Sequence, residues 1–217
     1  MPTLRLYDYA ASANCYKVRL LLAQLGREYE RIPIDIFDGD TLTVAFGEIN
    51  PARSTPVLEV GDGSYLAESN AILFYLAQGT QFLPDAPLEQ AQVLRWLIIE
   101  QTDVMMSIGG LRFRLLTRRF TAESDEAQRR RATALAALDF IDGHLFEHEF
   151  FVAGRYGIAD IAMYGYLHVA PDAGLDLTRF PSVERWLDNV RAQPGHMNDL
   201  VPYPPNARPG AGRSLYG

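Results

Sequence analysis

The spacing of apolar residues changes period once along this chain, between Gln78 and Pro87, and that change divides it into two domains of different class. Upstream, short stretches alternate between a two-residue period and a helical one; downstream, the helical period holds to about Arg191. A strand buries every second side chain and a helix every third or fourth, so one layer cannot satisfy both patterns. The break carries Gly79, Pro84 and Pro87, a linker composition. The expected organisation is a domain over 1–79, a linker over 80–87, a helical domain over 88–200, and a tail over 201–217. Pro202, Pro204, Pro205 and Pro209 make that tail extended rather than helical.

In the first domain, Met1 to Tyr7 reads as a strand, with polar and apolar residues alternating from Thr3. Val18, Leu21, Leu22 and Leu25 form the stripe of an amphipathic helix that Gly26 stops. Tyr29 to Ile34 reads as a second strand, for which Pro33 indicates an edge position or an early end. A weak helix near Leu42 to Glu48 precedes the break at Asn50-Pro51. Pro56 to Val60, the turn Gly61-Asp62-Gly63 and Ser64 to Leu66 read as a hairpin, and Ser69 caps a helix through Leu76. A parallel strand pair joined to a hairpin is an α/β sandwich. In the second domain the period predicts helices over Leu88–Arg119, bent at Gly109-Gly110, and over Ser124–Phe146, Ile158–Val169 and Pro181–Arg191.

The 217 residues carry a formal charge of -7, which opposes a nucleic-acid or anionic-membrane partner. No apolar run approaches the ~18 residues of a membrane span, and one cysteine forms no internal disulfide. A cytoplasmic location fits these features.

Three short segments carry candidate chemistry. Ser12 to Val18 joins the first strand to the first helix, where free N–H groups and the positive dipole end favour an anion. Ser12 and Asn14 add donors there, and a thiolate is one anion that such a corner can hold. Lowering a thiol pKa by about two units takes roughly 2.7 kcal/mol of preference for the charged form. Alone, the segment reads better as a plain loop and cap. In Ser54-Thr55-Pro56-Val57 a proline opens a buried strand; a cis bond would turn the chain and expose the Thr55 main chain, although trans is the commoner state. In Glu68-Ser69, a helix start beside a carboxylate matches the two charges of an α-amino acid end group, or is a plain N-cap.

Taken together, these residues resemble the cytosolic glutathione transferase family. The match rests on Leu6-Tyr7 with Ser12–Val18, on Asn50–Leu58, on Glu68–Leu76, and on Gly157-Ile158-Ala159-Asp160-Ile161-Ala162, a helix-capping segment. The resemblance implies an α/β thioredoxin-like N-terminal domain that binds glutathione as co-substrate, and an all-α C-terminal helical-bundle domain with a pocket for a small hydrophobic electrophile. It implies that Ser12, which matches the activating serine of theta- and zeta-like classes, activates the glutathione thiol without a metal, with Asn14, which matches an asparagine of some bacterial classes and the beta-class cysteine position, assisting or replacing it. It further implies that Thr55 with a cis Pro56 binds the cysteinyl backbone and that Glu68 and Ser69 hold the γ-glutamyl end; where the family often has a lysine or glutamine for the glycine carboxylate this chain has Arg53-Ser54, so Arg53 is the expected substitute. A homodimer and a detoxifying role also follow from it. Gly157 departs from the serine or threonine usual at that cap, and offers no side-chain acceptor.

Other candidates carry less. Cys15 stands one position past the beta-class cysteine and has no Cys-x-x-Cys partner. His144 and His148 have zinc-compatible spacing but no third ligand, and Arg129-Arg130-Arg131 reads as a solvated helix face. Met105, Met106, Ile108, Leu111 and Phe113 read as helical core, or, on the resemblance, as pocket wall. Two rival functions remain: glutathione-dependent reduction of a disulfide or peroxide, and a non-catalytic ligand-binding protein of the same fold.

Overall fold

The computed structural model describes residues 4–61 and 63–215; the first three residues of the expected opening strand, Asp62 of the hairpin turn, and Tyr216-Gly217 lie outside the described residues. The chain forms two compact units, Met1–Leu76 with Met197–Gly217, and Ala77–His196.

The first unit holds strands β1 (Leu4–Asp8), β2 (Tyr29–Pro33), β3 (Val57–Val60) and β4 (Ser64–Ala67) in the order β2-β1-β3-β4. β1 runs parallel to β2 through helix α1 (Ala13–Gln24) and antiparallel to β3, which continues antiparallel into β4. Tyr7 pairs with Ile32 on one side and Val57 on the other, so β1 is central and reads Leu6, Tyr7, Asp8 as one buried run. Pro33 ends the edge strand, where its missing N–H breaks no ladder bond. Gly26 adopts a φ of 61° just past α1, a left-handed conformation that costs glycine little. A single turn, Asp40–Leu42, leads to helix α2 (Val44–Ile49), which Thr43 caps by accepting from Phe46 N. Helix α3 (Ser69–Leu76) packs Ile72, Leu73 and Leu76 into the same core as Val18 and Leu20–Leu22 of α1.

Charges are buried in this unit as well. The Arg19 guanidinium on α1 bonds Asp8 of β1 at 2.5 Å and Asp199 of the tail at 2.8 Å. Arg31 of β2 reaches the other oxygen of Asp8 and lies 3.7 Å from Asp199. Arg19 and Asp8 are wholly shielded from solvent, so each needs its opposite charge. The tail therefore does not trail away as an extended segment. Met197 O accepts from Tyr16 Oη at 2.7 Å, Asn206 Nδ2 donates to Asp35 at 2.9 Å, and Arg213 N donates to Phe37 O at 2.8 Å. A short 3-10 turn at Pro205–Ala207 lies between the last two contacts.

The second unit is helical throughout: α4 (Pro87–Ile99), a π-helical stretch (Glu100–Gly109), α5 (Gly110–Leu116), α6 (Asp125–Glu147), α7 (Ile158–Leu167) and α8 (Pro181–Arg191). The bend expected at Gly109-Gly110 falls where this widened stretch passes into α5, and both glycines stay in right-handed helical geometry. A Cβ on Gly109 would lie 2.5 Å from the Tyr166 ring, so the glycine lets α7 approach rather than bending the helix. The arginine run is also not merely solvated. Arg130 Nη1 donates to Met106 O at 3.0 Å, and Arg131 Nη1 donates to Gly174 O at 2.5 Å, while Arg129 is exposed. α7 is buried on every side, and α8 opens with Pro181 at its first turn.

The start of α7 explains the unusual Gly157. Asp160 reaches back to Gly157 N at 3.0 Å and also accepts from Phe151 N and from Trp186 Nε1 at 2.9 Å. Ile158 N donates to Phe82 O at 3.0 Å, and that carbonyl would meet a Cβ at position 157 at only 2.7 Å. A side chain that could cap the helix has no room to exist there.

Candidate active site

The corner where β1 hands over to α1 is built by local hydrogen bonds. Ser12 N donates to Tyr9 O at 3.0 Å, closing a turn, and Ser12 then caps α1 with its hydroxyl oxygen accepting from Cys15 N at 3.3 Å. That bond uses an acceptor lone pair. The hydroxyl also bonds the neutral Cys15 sulfur, a weak acceptor, so donation to a bound thiolate requires its proton to turn outward.

The three segments singled out in the sequence meet here. Ser69 Oγ donates to Asn14 Oδ1 at 3.3 Å, joining the starts of α1 and α3 across 55 positions of chain. The Thr55 hydroxyl bonds the Cys15 sulfur, bringing the third segment to the same corner. The Thr55-Pro56 bond is cis. Among the described residues the Thr55 main chain makes no hydrogen bond of its own, so its N–H and C=O can pair with an extended peptide.

Two expected details differ. Ser69 is the first residue of α3 rather than its cap, and its hydroxyl goes to Asn14. Glu68 occupies the cap position with a φ of 70°, and its carbonyl accepts from Ile72 N at 2.9 Å. A glutamate held in the left-handed region is locally costly, and such outliers gather at ligand sites. Its side chain stays exposed at the mouth of the corner. Arg53, also at positive φ (54°), is not drawn into the corner. Its Nη1 donates to Thr41 O at 2.8 Å and Thr43 O at 2.9 Å, and the guanidinium lies flat against Gly47, where a Cβ would meet it at 2.6 Å.

Residue patterns did not single out Lys17. It is fully buried, and its ammonium donates to Asn14 Oδ1 at 2.8 Å. The Asn14 oxygen is thereby doubly occupied, and the amide is polarised so that its N–H groups become better donors. The signal was present: the one lysine in a chain whose other cations are all arginine stands three residues along the helix from Asn14. Tyr7 is not part of the donor set, because its hydroxyl donates to Glu59 at 2.9 Å.

Cys15 is excluded as a reactive thiol. It is wholly buried, and burial with the nearby Asp8 charge pushes its pKa up to about 12, against the hydrogen bonds that favour the thiolate. The histidine pair is likewise structural. His144 and His148 stack at 4.3 Å, with His144 Nε2 against Phe151 O and His148 Nδ1 against His144 O. Among the described residues no group of three or more His, Cys, Asp or Glu could hold a metal ion. No helix there is long and apolar enough to cross a membrane. Of the suggested pocket residues on the π-helical stretch and α5, Ile108 and Leu111 are core and Met106 is exposed.

Comparison with known proteins shows the family. Residues 2–78 match the model of the glutathione S-transferase N-terminal domain, and residues 104–194 that of its C-terminal domain. Glutathione S-transferase 3 of Zea mays is 30% identical over 219 residues, spanning 94% of this chain and 97% of its own. The disulfide-bond oxidoreductase YghU of Escherichia coli is 29% identical, over 88% of this chain and 72% of its own. The crystal structure of a glutathione S-transferase from Pseudomonas fluorescens superposes with a TM-score of 0.88 and 41% identity, over 91% of this chain and 99% of that one. With both domain models matched and relatives aligned nearly end to end, the chain belongs to the glutathione S-transferase family.

Proposed function

We propose that this protein is a glutathione transferase that binds glutathione in the first unit and holds its sulfur as a thiolate at the Ser12 corner. One observation carries the reading: Ser12 caps α1 with a hydroxyl whose proton can turn from the neutral Cys15 thiol to a stronger thiolate acceptor, at the corner where the Asn14–Ser69 bond joins α1 to α3. A charge-assisted hydrogen bond contributes about 1.5–3 kcal/mol and a helix terminus about 0.3–1 kcal/mol, together the size needed to lower a thiol pKa by about two units. The polarised Asn14 amide adds a second donor. Thr55 pairs with the cysteinyl backbone in antiparallel fashion. Glu68 meets the γ-glutamyl ammonium, while the first N–H groups of α3 receive the α-carboxylate. Arg53, occupied by the Thr41 and Thr43 carbonyls, serves the glycine end by fixing the loop before α2 and with its remaining N–H groups.

Chemically, the thiol proton leaves to solvent and the sulfur lone pair forms a bond to an electrophilic carbon. The leaving group departs with its bonding electrons. The second substrate is a small hydrophobic electrophile, and the enzyme works as a homodimer in the cytoplasm. The test is the bound thiol's titration, followed by thiolate absorbance, in wild type and Ser12→Ala. We expect a pKa well below 8.5 in wild type and a rise of about one to two units in the variant. An unchanged pKa overturns the assignment. Loss of the cap alone would cost about 1 kcal/mol of stability without moving the thiol.

A second reading, glutathione-dependent disulfide reduction, is favoured by the likeness to the E. coli oxidoreductase. Assaying Ser12→Ala for both reactions separates the two: reduction that survives while conjugation is lost places reduction on Asn14.

A further inference from the structure

The proline-rich tail folds back onto the loop between β2 and α2, and the chemistry proposed above makes no use of this contact. Arg213 N donates to Phe37 O at 2.8 Å, and Asp38 and Arg213 pair as an isolated parallel bridge. Asn206 Nδ2 donates to Asp35 at 2.9 Å. Gly212 sits so close to both segments that a Cβ there would collide with Phe37 O and lie 2.6 Å from Asn206 O, each a main-chain atom. The loop over 35–43 is also tied within itself. Asp35 N donates to Asp40 Oδ2 and Phe37 N to Asp35 Oδ1, each at 2.8 Å, and Leu42 N donates to Gly39 O at 2.9 Å. A push at Phe37 is therefore carried to the far end of the loop, where Thr41 O and Thr43 O accept from Arg53 Nη1.

Resting on the transferase reading above, we infer that tail residues 206–213 position the glycine end of the glutathione site. Acting through the loop over 35–43 and Arg53, they set the preference for the tripeptide over γ-glutamylcysteine. The two ligands share the γ-glutamyl and cysteinyl groups, and only the tripeptide extends a carboxylate past them to the place that Arg53 serves. A charge-assisted hydrogen bond is strong but weakens steeply when its donor is displaced or turned. The Ser12 corner is braced separately. The Phe37 ring meets Tyr9 edge-on at 5.9 Å, but the turn from Tyr9 to Ser12 is closed by its own main-chain bond, and the Asn14–Ser69 bond ties α1 to α3. The tail thus acts on one end of the ligand and not on its sulfur.

Gly212→Ala in the full chain tests this, because its methyl group forces tail and loop apart and changes no residue proposed to meet glutathione. Asn206→Ala, which removes the bond to Asp35, serves as the second variant should the first fail to fold. Isothermal titration calorimetry gives dissociation constants for glutathione and for γ-glutamylcysteine. Wild type should bind glutathione about tenfold more tightly, or more. In the variant, affinity for glutathione should fall about tenfold while affinity for γ-glutamylcysteine holds, a split that general loosening of the unit would not produce. Equal loss with both ligands, loss with neither, or a wild type that does not distinguish them overturns the inference and leaves the transferase reading intact. A wild type that binds neither overturns both.

Discussion

Gly157 is the position where capping rules and tertiary packing predict opposite signs. By the rules of helix termini, Gly157→Ser adds a side-chain acceptor for the first turn of α7 and gains a few tenths of a kcal/mol. In the structure the new Cβ would lie 2.7 Å from Phe82 O, a main-chain atom with no rotamer to change. The φ of −162° is ordinary extended backbone, so the penalty is contact and not conformation. Either the 77–86 segment or the start of α7 must retreat, which costs about 1–3 kcal/mol as overpacking. The retreat also stretches the 3.0 Å bond from Ile158 N to the same carbonyl, worth about 1 kcal/mol. The net expectation is a loss of about 2–3 kcal/mol, or a thermal midpoint lower by roughly 5–10 °C for a chain of this size. Circular dichroism melts and urea titrations of wild type, Gly157→Ala and Gly157→Ser measure it. Both variants should fall, with serine recovering at most the few tenths of the cap. A serine variant as stable as wild type would refute the steric argument.

Two other outcomes follow from the same geometry. Burial pushes the His168 pKa down to about 4, so the unfolded chain takes up its proton near pH 6.5 before the folded one does. The associated stability is present above pH 6.5 and is lost as pH falls toward 4, roughly 3 kcal/mol in all; urea midpoints across that range should slope in wild type and flatten in His168→Asn. Asp199→Ala leaves the buried Arg19 with Asp8 alone and unfastens the tail. Trypsin should then cut after Arg213 faster than in wild type, and equal cutting rates would show that other contacts hold the tail.

Much of the candidate site was legible because its parts are local. A serine before an apolar stripe caps a helix whatever surrounds it, and Ser12 does so here. The segments around Thr55 and Glu68 were recognisable by residue type, since a proline before a strand and an acid before a helix limit the local backbone. Their meeting was not legible. Ser69 reaching Asn14, and Lys17 polarising it, are bonds between elements that only packing brings together. Nor were the bonds of Arg53 Nη1 to two loop carbonyls, which no residue pattern announces.

By itself, the sequence determined two domains, their classes and most element ends, because backbone period and terminal capping depend on neighbours within a few residues. Only the tertiary structure decided which Thr55-Pro56 isomer is present, where the bend expected at Gly109-Gly110 became a widened turn, and where the proline-rich tail lies. Each of those rests on atoms distant in the chain. The tail shows the reason most directly: a guanidinium buried on α1 requires carboxylates, and the second of them arrives 180 residues later.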